Sequence, residues 1–245
     1  MRVLVMRPAR DAERTARRLA AHGHEAVIAP VLRIEGTDEP PPSDAFSGVI
    51  LTSANAVPAL ATIAAQVDDL PIFAVGERTG SQAAEAGFSD VRMAEGDAAS
   101  LAVLIGASLP PRARLLHVAG RERKPEPEAS LAAAGFSIST WVAYEAITAE
   151  RLAPFAQSAL RQGSLDAVLH YSRRSAAVAL DLAARAEVMA PFLALTHVCL
   201  SADTAVLFYE AGAGQVRVAE GPDEDALLAA LDGRREISDT GSRRP

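Results

Sequence analysis

The stretch Gly48-Val49-Ile50-Leu51-Thr52-Ser53 returns 119 residues later as Ala167-Val168-Leu169-His170-Tyr171-Ser172. Each copy is a short aliphatic run that stops at a hydroxylated residue, which predicts a buried strand leading straight into a turn. The echo is not isolated. Glu85-Ala86-Gly87, Val91-Arg92 and Ala94-Glu95-Gly96 recur as Glu210-Ala211-Gly212, Val216-Arg217 and Ala219-Glu220-Gly221 at an offset of 125, which Thr79 and Thr204 share. Residues 3–34 match residues 115–146 at an offset of 112, which places Gly23 on Gly135. The chain is an internal duplication in the block order A, B, A′, B′.

Working outward, the strand candidates are Val3–Met6, Gly48–Thr52, Ile72–Val75, Arg114–Val118, Asp166–His170, Val198–Leu200 and Val216–Val218. Ala- and Leu-rich segments of helical period lie between them, so the class is α/β with parallel sheets. Asp11 is read as the cap of a helix running to Ala21 with Gly23 just beyond, and Asp203 as the start of one that stops near Gly212. Two partitions into lobes are open: A with B followed by A′ with B′, or a continuous B–A′ lobe inserted into a discontinuous A plus B′ lobe. The linker signal Glu39-Pro40-Pro41-Pro42-Ser43 falls between A and B, where the second partition needs a crossing, whereas Leu109-Pro110-Pro111 suits the first. The polar, Arg-rich stretch from Asp232 to Pro245 reads as a disordered tail.

With 245 residues and 49% hydrophobic content, the chain can fill two cores of about 100–120 residues each. A net charge of −7 without any Lys/Arg block argues against a nucleic-acid partner. No apolar stretch approaches the roughly 20 residues of a membrane span, and the run before Arg7 is too short for a signal sequence, so a cytoplasmic protein is expected. The single Cys199, in the apolar run His197-Val198-Cys199-Leu200, reads as a buried structural thiol. There is no G-x-G-x-x-G after a strand, no Walker A run, no H-E-x-x-H and no G-x-S-x-G, so no cofactor is indicated. The five His residues are scattered: His22 and His24 flank a turn, and His117, His170 and His197 lie in or beside strands, so no metal site is expected. Asp68-Asp69 reads as solvated surface.

In open parallel sheets, ligands bind outside the carboxyl ends of the strands. The A blocks place there Arg7-Pro8-Ala9-Arg10 and Ala119-Gly120-Arg121-Glu122-Arg123, and the B strands Thr52-Ser53-Ala54-Asn55 and Tyr171-Ser172-Arg173-Arg174-Ser175. The third set is Gly76-Glu77-Arg78-Thr79 and Ser201-Ala202-Asp203-Thr204. Small, hydroxylated and cationic residues at helix starts leave N–H groups open to an anion, so a polyanionic small molecule is the expected ligand. The plain alternative is that each hydroxyl is only a helix cap. Global negative charge leaves capture to local donors and helix dipoles. Trp141-Val142-Ala143-Tyr144-Glu145-Ala146 adds a phenol, which is protonated at neutral pH and can assist departure of a hydroxyl group, while Trp141 reads as a packing residue.

These residues together resemble the uroporphyrinogen-III synthase family along nearly the whole chain, from residue 3 to a helix ending near Leu231. The resemblance is carried by Arg7-Pro8, by Ile50-Leu51-Thr52-Ser53-Ala54-Asn55-Ala56-Val57, by the turn from Val75 to Thr79, by Val142-Ala143-Tyr144 and by the turn from Ser201 to Ala205. It implies two doubly wound, flavodoxin-like parallel-sheet lobes with the inserted partition. Lobe 1 would comprise residues 1–35 plus 149–231, and lobe 2 residues 36–148. A two-strand linker at 31–35 and 142–147 would join them. It implies cyclisation of hydroxymethylbilane to uroporphyrinogen III, with loss of water and inversion of ring D through a spiro intermediate, in a cleft between the lobes and without a cofactor. Tyr144 would be the acid. Arg7, Thr52, Ser53, Ala54, Asn55, Gly76, Thr79, Gly120, Ser172, Arg173, Ser175, Ser201 and Thr204 would hold the substrate. A monomer in transient contact with hydroxymethylbilane synthase would fit. A two-lobed protein that binds a small anion or a tetrapyrrole without catalysis is the rival reading, and a degenerate homologue kept as an interaction module is a third.

Overall fold

The structure, a computed structural model, describes residues 1–123 and 125–233; most of the expected tail lies outside them. Within them, Asp232 still belongs to the last helix, Glu224–Asp232, which Gly233 closes in the left-handed conformation (φ 71°). Eleven strands are described: β1 (Arg2–Val5), β2 (Glu25–Ile28), β3 (Leu32–Gly36), β4 (Gly48–Leu51), β5 (Ile72–Ala74), β6 (Val91–Met93), β7 (Arg114–Gly120), β8 (Ser137–Thr148), β9 (Ala167–His170), β10 (Thr196–Cys199) and β11 (Gln215–Val218). The seven apolar runs read from the sequence are seven of these. The sequence reading missed β2 and β6, which are short, partly exposed strands at sheet edges.

The chain forms two compact units, Met1–Arg33 with Thr148 onward, and Ile34–Ile147. Unit 1 holds a sheet of order β11-β10-β9-β1-β2, and its strands pair in parallel. Unit 2 holds the order β3-β8-β7-β4-β5-β6, parallel from β8 through β6. Register ties block A to B′ through Val3 opposite Ala167, and block B to A′ through Gly48 opposite Leu115. Matching strands occupy matching places, yet the chain enters them at different points. Counted along the parallel strands of each unit, leaving out edge strand β3, the order is the flavodoxin-like 2-1-3-4-5 in unit 1 and the Rossmann-like 3-2-1-4-5 in unit 2. Both sheets therefore reverse strand order at equivalent points, between β1 and β9 and between β4 and β7.

Successive strand residues supply opposite faces. Leu4, Val168 and Cys199 enter one core of unit 1, and Val3, Val5, Ala167, Leu169 and Val198 the other. In unit 2, Val49, Leu51, Leu116 and Val118 face one core, and Ile50, Phe73 and Leu115 the second. The strands are buried on both faces, as doubly wound sheets require, with each fully buried Leu, Ile or Val contributing about 1.5–3 kcal/mol.

The two strands expected at the linker, β3 and β8, are neighbours at the edge of the second sheet. β8 starts at Ser137 because its first half pairs with β7. Asp11 does not cap its helix: Ala9–Ala21 follows Pro8, and Asp11, in the first turn, pairs with Arg7. Asp203 likewise sits inside the first turn of Ala202–Glu210, and Ser201 supplies the cap. Both carboxylates gain the favourable end of the helix dipole without capping it.

Candidate functional site

Unit 2 gathers Ser53, Gly120 and Tyr144 at the carboxyl edge of its sheet. β4 ends at Leu51, and Ser53, in extended conformation, caps the short 3₁₀ turn Ala54–Ala56 by accepting from the Asn55 N–H at 3.2 Å. β7 ends at Gly120. A β-bulge between Ala119 and Gly120 shifts the register of β8, so that Gly120 faces Tyr144. The Tyr144 ring then packs on the bare Cα of Gly120: a methyl group there would lie 2.8 Å from Tyr144 Cε2. The Tyr144 hydroxyl is hydrogen-bonded with the Ser53 side chain and the Gly120 backbone. Burial raises the phenol above its ordinary pKa, and these two bonds oppose the rise without cancelling it. Tyr144 is thus held as a proton donor. The Arg121 N–H donates to the Tyr144 carbonyl at 2.9 Å, and the Arg121 guanidinium meets Glu145 at 2.8 Å, which fasten the strand to the loop after β7.

Behind this edge lies a network that the sequence reading missed. Thr52 Oγ1 is 3.1 Å from Nε2 of buried His117 on β7, and His117 Nδ1 is 2.8 Å from Glu128 Oε1. Glu128, in the helix Glu128–Ala133, also accepts from Thr140 Oγ1 at 2.9 Å and Arg123 Nε at 3.2 Å. Burial lowers the His117 pKa, with Glu128 opposing. Burial would raise Glu128, but its donors outweigh that and lower it. His117 read as one of several scattered histidines, because Glu128 and Thr52 become its neighbours only when the strands align. Elsewhere in unit 2, Gly76 precedes the helix Glu77–Glu85 in extended conformation, its carbonyl accepts from Thr79 N–H at 3.1 Å, and Thr79 is buried. Ala54 is buried and Asn55 half-buried in the turn after β4.

Unit 1 treats its candidates differently. Arg7 follows β1, but its guanidinium stacks over the Tyr171 ring at 3.8 Å and pairs with Asp11 at 3.3 Å and Glu224 at 3.1 Å. Glu224 also accepts from Tyr171 Oη at 2.6 Å and Thr15 Oγ1 at 2.5 Å, and meets Arg14 at 3.2 Å and Arg18 at 3.0 Å. Burial would raise the Glu224 pKa, but these donors and cations lower it. The Arg7 charge is therefore balanced inside the unit, contrary to the expectation of a free cation at the strand end. Nothing local signals this pairing, because Glu224 lies 217 residues away in the chain.

The other hydroxyl candidates of unit 1 act as caps. Ser172 accepts from the Ser175 N–H at 3.2 Å at the start of Arg173–Arg185, and the two hydroxyls lie 2.8 Å apart. Ser201 accepts from the Thr204 N–H at 3.3 Å, and the buried Thr204 hydroxyl turns to Ser201 at 3.0 Å. Arg173 reaches across to the Asp203 carbonyl at 2.8 Å and carboxylate at 3.1 Å. Such capped helix starts direct their remaining first-turn N–H groups outward, where an anion can meet them. Cys199 is buried, and burial pushes its thiol up to about 12, which makes it inert. Among the described residues, no group of three or more His, Cys, Asp or Glu could hold a metal ion, and no helix is long and apolar enough to cross a membrane. A cavity of about 740 Å³ beside β11 and the last helix is lined by Arg217, Glu220, Asp223 and Asp225, among others, and by none of the candidate residues.

A family model described as uroporphyrinogen-III synthase HemD matches residues 13–229, most of the chain. The chain belongs to the uroporphyrinogen-III synthase family. It is accordingly an enzyme of tetrapyrrole biosynthesis, a lyase. Among solved structures, a uroporphyrinogen-III synthetase from Helicobacter pylori matches with TM-score 0.60 at 19% identity, covering 96% of this chain and 100% of that one. A mutant uroporphyrinogen III synthase from Thermus thermophilus matches with TM-score 0.50 at 18% identity, covering 95% and 96%. At such identities these two carry the fold, two parallel-dominated sheets, while the family model carries the membership. No curated protein sequence matches the chain.

Proposed function

We propose that the protein cyclises hydroxymethylbilane to uroporphyrinogen III, with loss of water and inversion of ring D through a spiro intermediate, and that Tyr144 is the acid. The observation that carries this reading is the phenol itself, held protonated between Ser53 and Gly120 where the unit 2 sheet reverses strand order. The electron-rich terminal pyrrole pushes out its hydroxyl, Tyr144 donates the proton that makes it water, and the proton lost when aromaticity returns after ring closure restores the phenol. Little further side-chain chemistry is needed. The protein's work is to hold the chain ends so that the substituted ring-D carbon is attacked, which geometry supplies through effective concentration.

The substrate is polyanionic, and the capped helix starts at Ser53, Ser172 and Ser201, together with Ala54, Asn55, Gly76, Thr79, Arg173, Ser175 and Thr204, fit carboxylates through backbone N–H groups more than through free cations. Arg7 enters this reading as a support for Tyr171 and the turn after β1. The enzyme is read as a cytoplasmic monomer without a cofactor, in at most transient contact with hydroxymethylbilane synthase. The test is a coupled assay: freshly generated hydroxymethylbilane is supplied to the pure protein, and the oxidised products are resolved by chromatography. Type III uroporphyrin is the expected product. Only type I, at the spontaneous rate, would replace this reading with tetrapyrrole binding without catalysis.

A further inference from the structure

The row Thr52, His117, Glu128 links a hydroxyl at the sheet edge to a buried imidazole and then to a carboxylate, and the proposed reaction leaves it without a task. The protons in this row are fixed by chemistry. Glu128 Oε1 accepts from the Arg123 guanidinium and the Thr140 hydroxyl, an environment that favours the ionised, acceptor-only carboxylate, and His117 Nδ1 lies 2.8 Å from the same oxygen. His117 must then carry a hydrogen on Nδ1, and the neutral ring offers a lone pair at Nε2. Thr52 lies 3.1 Å from that lone pair, so the Thr52 hydroxyl donates inward. Its oxygen keeps acceptor capacity toward the half-buried surface of the strand end. A side chain in this state cannot donate to a carboxylate.

We infer that His117 and Glu128 are positioning residues that turn the Thr52 hydroxyl proton inward, so that Thr52 accepts a hydrogen bond from a pyrrole N–H of the substrate instead of donating to its carboxylates. This rests on the proposed tetrapyrrole reaction and divides the recognition work. Backbone N–H groups at helix starts take the acid side chains, and Thr52 reads the nitrogen edge of a ring. The charged and titratable groups facing His117 are Glu128 directly and Arg123 through it, with the hydroxyls of Thr52 and Thr140 completing the shell.

Two measurements test this. Nitrogen-15 NMR of the His117 ring at neutral pH should show the hydrogen on Nδ1, and an Nε2–H tautomer overturns the inference. A double-mutant cycle supplies the second. Thr52→Val removes the acceptor, while Glu128→Gln can donate to Nδ1, move the ring hydrogen to Nε2 and reverse the Thr52 hydroxyl. Each should raise KM for hydroxymethylbilane about threefold to tenfold with kcat for type III product within about twofold, Thr52→Ser should restore KM, and the double variant should be no worse than the weaker single one. Additive effects, or an unchanged KM in Glu128→Gln, overturn it. If Glu128→Gln does not fold, the wild-type pH profile replaces it: KM should rise on the acid side as His117 protonates, and that limb should be missing in Thr52→Val. A limb that persists overturns the inference. Should the wild-type protein form no type III product, the proposed reaction fails by itself, and the same cycle is then read on the Kd for uroporphyrinogen III under anaerobic conditions.

Discussion

Thr52 in unit 2 and Tyr171 in unit 1 are the same position of the duplicated sequence, each ending the strand beside the point where its sheet reverses order. Both reach a carboxylate on a helix distant in the chain, but the chemistry differs. Tyr171 donates directly to Glu224, which also faces Arg7, Arg14 and Arg18. Thr52 reaches Glu128 only through the imidazole of His117. Unit 1 has become an electrostatic fastening of the first and last helices, and unit 2 a polarised row of hydroxyl, imidazole and carboxylate. The remaining counterparts diverge too: Tyr144 matches Leu32, a buried core residue of unit 1, and Gly120 matches Pro8. The duplication has kept the backbone and let the polar groups drift, so that Tyr144 has no phenol counterpart in unit 1.

Four experiments can break this contrast or sharpen it. The largest effect is expected for Glu224→Ala, which takes the shared carboxylate from Arg7, Arg14 and Arg18 and the acceptor from Tyr171 and Thr15, and should cost about 3 kcal/mol in urea unfolding. A loss under 1 kcal/mol would show that the fastening is ornamental. Next, Tyr144→Phe should lower kcat about 10²-fold with unfolding unchanged, and Gly120→Ala should approach it by displacing the ring; wild-type rates in Tyr144→Phe would remove the acid from unit 2.

Acid distinguishes the units as well. His170 and His197 stack as a buried pair in unit 1, their near nitrogens 3.0 Å apart. Burial holds His197 at about 4, and burial with the neighbouring His197 holds His170 well below the usual histidine range. Their folded pKa values are depressed, so the unfolded chain binds more protons between about pH 6.5 and 4, and stability that is complete above pH 6.5 is lost as pH falls through that window. The loss should be roughly 1 kcal/mol per pH unit from His197. Because the single Trp141 reports unit 2 alone, circular dichroism should change before Trp fluorescence as pH falls, and coincident transitions would refute the contrast. The smallest effect belongs to Thr204→Ala, which removes the buried hydroxyl bonded to Ser201 and should cost about 1 kcal/mol of stability. If it instead raised KM at unchanged stability, the unit 1 hydroxyls would be ligands as well as caps.

The surroundings of Tyr144 show how much of the candidate site was legible in the sequence. Gly120 and the hydroxyl of Ser53 were visible at strand ends, where apolar residues give way to small or hydroxylated ones, and the phenol stood out in the segment from Trp141 to Ala146. Their meeting was not visible, since it depends on a bulge of one residue between β7 and β8. The networks around Glu224 and Glu128 were hidden for a related reason: a surface acid in a helical run looks the same whether it meets water or a buried guanidinium. Arg7 shows the converse, a strand-end cation that looks free in the sequence and is paired in the fold.

The sequence alone determined the α/β class, the duplication and the positions of most interior strands, because buried parallel strands and repeats are written in hydrophobic period and spacing, which are local. Tertiary structure alone decided that block A pairs with B′ and B with A′, that Tyr171 joins a charge cluster around Glu224 while Thr52 reaches Glu128 through His117, and which hydroxyls turn their protons inward. Those outcomes turn on which distant residues share a buried, low-dielectric neighbourhood, and only the folded register brings them together.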